Sequence, residues 1–262
     1  MCAKLLMLST HNQNIKQSAC INDYMNFIFK GEIIDYNFYQ NKNKPTIIFL
    51  HGWGGNKFSF IKIINLLKNK FSILTLTMPT IQPMSISWNL FDYSNLILEL
   101  CKLYNIKSCI IVCHSFGLRV ATLLKENIKV EKIIITGGAG MKKFKIYKKI
   151  EQNNNKILLK NNKFKFLFST VASKDYLALS NINKITFKNV VNFVTNHISK
   201  FDCPIFLFWG KVDSETKIWI AKKLKKVNKN CTLKIVKSDH FAYLKKESEF
   251  NNFVVRNLCF LH

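Results

Sequence analysis

The sequence contains no apolar run near the roughly 18 residues that a membrane span requires. Its N-terminal LLML patch is cut short by Ser9, Thr10, His11 and Asn12, so neither a transmembrane segment nor a secretory signal is expected. A CxxC pair is also missing. The eight cysteines stand at positions 2, 20, 101, 109, 113, 203, 231 and 259, several of them inside apolar, strand-like runs where a thiol acts as a small hydrophobe. This pattern predicts a reducing, cytoplasmic setting and no metal site. Acidic residues are scarce, 15 against 40 Lys and Arg, which leaves a net charge of +25. Such a balance points to an anionic partner or, equally, to AT-rich codons that favour Lys, Asn, Ile and Phe together. No dense basic block supports the first reading. The best local candidate, KKFKIYKK at 142–149, carries no nucleic-acid-binding signature, so no nucleic-acid partner is expected. Nothing repeats internally.

What the chain does have is enough apolar material, 48% of 262 residues, for one large domain or a domain with an insertion. Residues 1–30 read as an N-terminal arm. After them EIIDYNFYQ (32–40) alternates like an edge strand, and PTIIFL (45–50) is a continuous apolar run suited to a buried strand. The pattern continues with a helix in FSFIKIINLLKNK, a strand in FSILTLTMP (71–79), a helix in LFDYSNLILELCKLYN (90–105) and the strand SCIIVC. A helix over about 117–126 and the strands VEKIIITGG, CPIFLFWG and CTLKIVKS follow. Strands alternating with helices predict an α/β fold with a mostly parallel sheet covered on both faces. Residues 141–200 break the rhythm with a Lys- and Asn-rich, helix-leaning stretch too long for a plain connection. They predict an inserted helical cap between core segments 31–140 and 201–262.

Three pieces carry chemistry. In CHSFG, Ser115 lies between a strand and a helix, as in a nucleophile elbow. Such a turn strains the backbone at the serine and needs small residues two before and two after it. Gly117 meets that need, and Cys113 replaces the usual first glycine. In HGWGG, directly after a strand, Gly52 and Gly54 let the backbone approach a reacting carbonyl. The N–H groups of Trp53 and Phe116 can then form an oxyanion hole, with His51 shaping the loop through hydrogen bonds. Finally, FWGKVD puts Asp213 just past a strand and SDHFAYL puts His240 just past the last one. A serine hydroxyl needs a base, and that base needs a carboxylate to set its tautomer. Asp202 and Asp239 are the alternative acids, His114 reads as a structural neighbour of the elbow, and His197 has no evident partner.

The motifs HGWGGNKFSF, CHSFGLRVA, ITGGAGMK, FWGKVDSET and DHFAYL occur in order, and over about residues 31–260 the chain resembles the α/β-hydrolase superfamily, in particular its small capped esterases. The resemblance implies Ser115 as nucleophile, His240 as base, Asp213 as orienting acid, and Trp53 and Phe116 as oxyanion donors. It also implies a serine esterase that needs no cofactor or metal. TMPTIQPMS (77–85) departs from the family's Asp-x-Pro-Gly-like loop, and Asp239 stands where a glycine usually precedes the histidine. The likeness extends to esterases that demethylate pimeloyl-acyl-carrier-protein methyl ester in biotin synthesis, so the ester is expected to be a small molecule or linked to an acyl carrier protein. The aromatic residues Phe164, Phe166, Phe168, Tyr176 and Phe187, with Leu177, either line an acyl pocket or form the cap's own core. A reading from another class is a non-catalytic binding module on the same fold.

Overall fold

The computed structural model describes residues 25–141, 178–193 and 200–259. Its strands are β1 (Met25–Phe29), β2 (Glu32–Tyr39), β3 (Thr46–Leu50), β4 (Ser72–Leu76), β5 (Ser108–His114), β6 (Lys129–Thr136), β7 (Ile205–Gly210) and β8 (Cys231–Val236). They form one sheet in the order β1-β2-β4-β3-β5-β6-β7-β8. β2 is antiparallel to β1 and β4, and the other neighbours pair in parallel. The described helices are α1 (Ile61–Leu67), α2 (Leu90–Leu103), α3 (Phe116–Leu124), α4 (Asn181–Asn192), α5 (Trp219–Val227), α6 (Ala242–Lys245) and α7 (Glu247–Cys259).

The continuous apolar runs of the sequence become the parallel centre because both faces of that sheet are covered. β3 and β4 are buried at every residue, and β5 at all but its first. Side chains alternate between two apolar layers. Ile48 and Leu50 of β3 join Tyr93, Leu96, Leu118 and Leu224 beneath α2, α3 and α5, while Ile47 and Phe49 join Ile63, Phe250 and Val254 beneath α1 and α7. Each fully buried Ile or Leu contributes about 1.5–3 kcal/mol. A capping box starts α2: the Asn89 side chain accepts the N–H groups of Phe91 and Asp92, and Asp92 accepts that of Asn89 at 2.7 Å.

Two expectations about the sheet's margin change. β2 is not the edge, because β1 pairs outside it, and the sheet therefore starts at Met25, inside the stretch expected to be an arm. The hairpin follows from Lys30 and Gly31, whose φ values of 51° and 81° supply the two left-handed residues of a tight two-residue turn. The five residues of β1 are only half-buried on one face, which explains the weak signal in the sequence. The sequence also passes over α5, α6 and α7, although α7 covers much of the second layer.

Within the expected cap, α4 and its flanks are described. The segment 142–149, the aromatic residues 164–176, Leu177 and His197 lie outside the described residues. α4 is tied down by polar side chains. Asn183 donates to the carbonyls of Thr80 (2.7 Å) and Gln82 (2.8 Å), and Thr186 accepts the Trp88 N–H (3.0 Å). The divergent 77–85 loop is therefore the shelf on which α4 rests. From α3, the buried Arg119 donates to the carbonyls of Val190 and Phe193 at the end of α4. Arg119 lies one turn beyond Ser115, so the elbow helix also anchors α4.

Candidate active site

β5 ends at His114, and Ser115 enters α3 with φ 47° and ψ −112°. A non-glycine residue at such angles is strained and persists only where its surroundings impose it. Here the Ser115 N–H donates to Thr136 O (3.2 Å), and its carbonyl accepts from Leu118 (3.1 Å) and Ala139 (3.0 Å). The end of β6 therefore holds the turn. Gly117 is required by proximity, since a Cβ there would stand 2.3 Å from Leu50 O of β3. Cys113 is fully buried in the apolar layer beneath α2 and α3, which accommodates its sulfur.

The HGWGG loop packs against this elbow. A Cβ on Gly52 would lie 2.6 Å from His114 Nδ1 and 3.3 Å from Ser115 Cβ, and Gly54 has φ 76°. His51 sets the loop's shape. Its Nε2 accepts the Met78 N–H at 2.8 Å, so the ring proton sits on Nδ1 and is donated to Gly52 O at 2.6 Å. Burial lowers the His51 pKa to about 4, against a smaller opposing effect of the Gly52 bond, and keeps the ring neutral. Farther along, Lys57 is buried and bonds Asp35 (2.7 Å) and Asn37 (2.9 Å) of β2. Trp53 meets Phe116 and the α4 residue Phe187 edge-on, with ring centroids 5.6 and 4.9 Å apart. Among the described residues the backbone N–H groups of Trp53 and Phe116 have no acceptor.

Asp213 follows β7 and His240 follows β8. Asp213 Oδ2 accepts from His240 Nδ1 at 2.9 Å and from Thr216 Oγ1 at 2.7 Å, while Oδ1 accepts the N–H groups of Glu215 and Thr216. Burial alone would raise the Asp213 pKa. The hydrogen bonds from His240 and Thr216 outweigh it and hold the carboxyl below its ordinary value. The close approach of β7 to the histidine loop depends on Gly210, where a Cβ would lie 2.1 Å from Asp239 O. His114 donates from Nε2 to His240 O at 3.1 Å. Burial first, then the neighbouring His240, lowers the His114 pKa to about 3, so it is a neutral brace rather than a base.

The alternative acids stand elsewhere. Asp202 precedes β7 and is exposed at the opposite end of that strand from Asp213. Asp239 pairs with Lys245, which together with the Phe241 N–H holds its pKa below the usual range. Asp213 and His240 are thus joined, with Ser115 on the neighbouring turn. Among the described residues Ser115 Oγ makes no hydrogen bond to His240. Instead His240 Nε2 lies 3.3 Å from Glu215 Oε2. Glu215 and Thr216 were not among the residues the sequence singled out. Their signal was an aspartate followed two and three residues later by the amides it captures, an Asx-turn pattern.

No family model matches the chain. It is 24% identical over 234 residues to a Bacillus subtilis (strain 168) protein named uncharacterized hydrolase YugF, covering 76% of this chain and 84% of that one. A solved alpha/beta hydrolase enzyme from the metagenome of sediments of the Mar Chica lagoon, Morocco, superposes with a TM-score of 0.62 at 18% identity, covering 85% of this chain and 93% of that one. The chain has the α/β-hydrolase fold. A structure reported in work on carboxylesterases of the thaumarchaeon Nitrososphaera gargenis shares it, with a TM-score of 0.66 at 16% identity over 90% of this chain and 98% of the other. In α/β-hydrolase folds the carboxyl ends of the strands form the ligand crevice. Ser115, Asp213 and His240 follow β5, β7 and β8 at that end, in the chain order usual for the fold. Among the described residues no helix is long and apolar enough to cross a membrane.

Proposed function

We propose that this chain is a serine hydrolase that cleaves carboxylic esters through an acyl-enzyme. The observation that carries the reading is the buried Asp213–His240 pair at 2.9 Å beside a serine held at φ 47°. Asp213 accepts from Nδ1, which leaves Nε2 as the basic nitrogen of the ring. When Nε2 turns to Ser115, it takes the hydroxyl proton as Oγ bonds to the ester carbonyl carbon. The developing oxyanion meets the N–H groups of Trp53 and Phe116. That of Phe116 is one of the unsatisfied donors at the start of α3, where the helix dipole favours negative charge. Losing one such donor typically costs about 10²–10³ in rate. Collapse breaks the carbonyl–alkoxy bond, and the Nε2 proton goes to the leaving oxygen. Water, deprotonated by the same nitrogen, then releases the acid.

The hydrolase likeness and the carboxylesterase structure support the ester class. A fluorophosphonate probe tests the reading: it is expected to label the wild-type protein and not Ser115→Ala. Well-folded wild-type protein that takes no label would overturn it and favour a binding module. Rates on p-nitrophenyl esters of graded chain length, run beside a carrier-linked methyl ester, then define the acyl group.

A further inference from the structure

Glu215 occupies a position the proposed mechanism does not use. Its N–H is captured by Asp213 Oδ1 at 2.9 Å, so the turn that sets the acid also aims Glu215 back at the imidazole. Its carboxylate reaches 3.3 Å from His240 Nε2, the nitrogen that delivers a proton to the leaving alcohol, while its side chain remains 37% exposed. Basic residues outnumber acidic ones 40 to 15 in this chain, yet among the described residues no Lys or Arg lies within ion-pair distance of Glu215. The nearby Asp239, by contrast, is neutralised by Lys245.

Nε2 must exchange a proton first with Ser115 Oγ and then with the leaving oxygen, and the Glu215 carboxylate stands beside that nitrogen. Glu215 must therefore leave Nε2 when substrate enters. Since the leaving oxygen must come within hydrogen-bonding distance of Nε2, the alcohol portion passes beside the displaced carboxylate. We infer that Glu215 selects for esters whose alcohol carries a positive charge, an ammonium group taking over the contact that the imidazole gives up. This rests on the esterase reading proposed above. Glu215 is then a specificity residue, and it disfavours anionic alcohols by the same charge.

The test compares a choline ester with its uncharged isostere, the 3,3-dimethylbutyl ester of the same short acid, so that only the charge differs. In the wild type kcat/KM is expected to favour the choline ester about tenfold, the size of one unit-charge pair near contact in a half-solvated site. The difference should appear mainly in KM. In Glu215→Gln the ratio should fall to about one whatever the absolute rates, and in Asp239→Asn, which removes a charge already paired, it should stay at the wild-type value. Equal rates on both esters in the wild type, or an unchanged ratio in Glu215→Gln, overturn the inference while leaving the esterase reading intact. Failure to hydrolyse either ester, together with no fluorophosphonate labelling, overturns both.

Discussion

Replacing Asp213 by Asn probes the core of the proposed mechanism with little change in shape. In the folded protein Oδ1 accepts two backbone N–H groups, from Glu215 at 2.9 Å and Thr216 at 2.7 Å. Those amides only donate, so the asparagine must keep its carbonyl oxygen on that side and turn its NH2 toward His240 Nδ1. A donor there forces Nδ1 to accept and moves the ring proton to Nε2. That nitrogen can then no longer take the Ser115 proton. The expected fall in kcat is about 10⁴-fold, or roughly 5 kcal/mol of lost transition-state stabilisation. The structural cost is smaller, on the order of 1 kcal/mol, the difference between a charge-assisted and a neutral hydrogen bond. The assay is p-nitrophenyl ester hydrolysis beside a urea unfolding curve for each protein. A folded Asp213→Asn variant that keeps more than about a tenth of the wild-type kcat would refute the tautomer argument.

Acid should destabilise the fold in two stages. His51 and His114 have folded pKa values lowered from 6.5 to about 4 and about 3, so the unfolded chain binds more protons across that range. Their contribution is complete above pH 6.5 and is lost as the pH falls, on the order of 3 kcal/mol for His51 by pH 4. Asp213, with its pKa lowered in the fold, adds a loss that begins only near its ordinary value of 3.8 and below. Stability from urea unfolding that stays flat between pH 7.5 and 5 would contradict the buried neutral histidines. Gly210→Ala should be damaging out of proportion to its size. Its Cβ would meet the carbonyl oxygens of Asp239 and Ser238 at 2.1 and 2.5 Å and push the histidine loop away from Asp213. Activity should fall by about 10²-fold with a stability loss of about 1–3 kcal/mol, and wild-type activity in this variant would show that the loop yields freely.

The parallel centre was legible because its strands are buried on both faces, which leaves uninterrupted runs such as TIIFL and SCIIVC. The elbow and the HGWGG loop were legible for a related reason. Each depends on local backbone geometry, and local geometry demands particular residues at particular spacings. Asp213 and His240 were legible as candidates for acid and base by their positions after strands. β1 was not, because five half-buried residues carry too little pattern to distinguish an edge strand from an arm.

By itself, then, the amino-acid order determined which segments are the buried parallel strands, where the chain must turn sharply, and which polar side chains follow strand ends. Only tertiary structure brought Asp213 within 2.9 Å of His240 and left Asp202 exposed at the other end of β7. It also decided that His51 and His114 are neutral braces and that the Glu215 carboxylate lies 3.3 Å from His240 Nε2. Those outcomes depend on atoms brought within about 3 Å from distant parts of the chain, and on the loss of water around them. Neither contact distance nor desolvation is written in any short stretch of sequence.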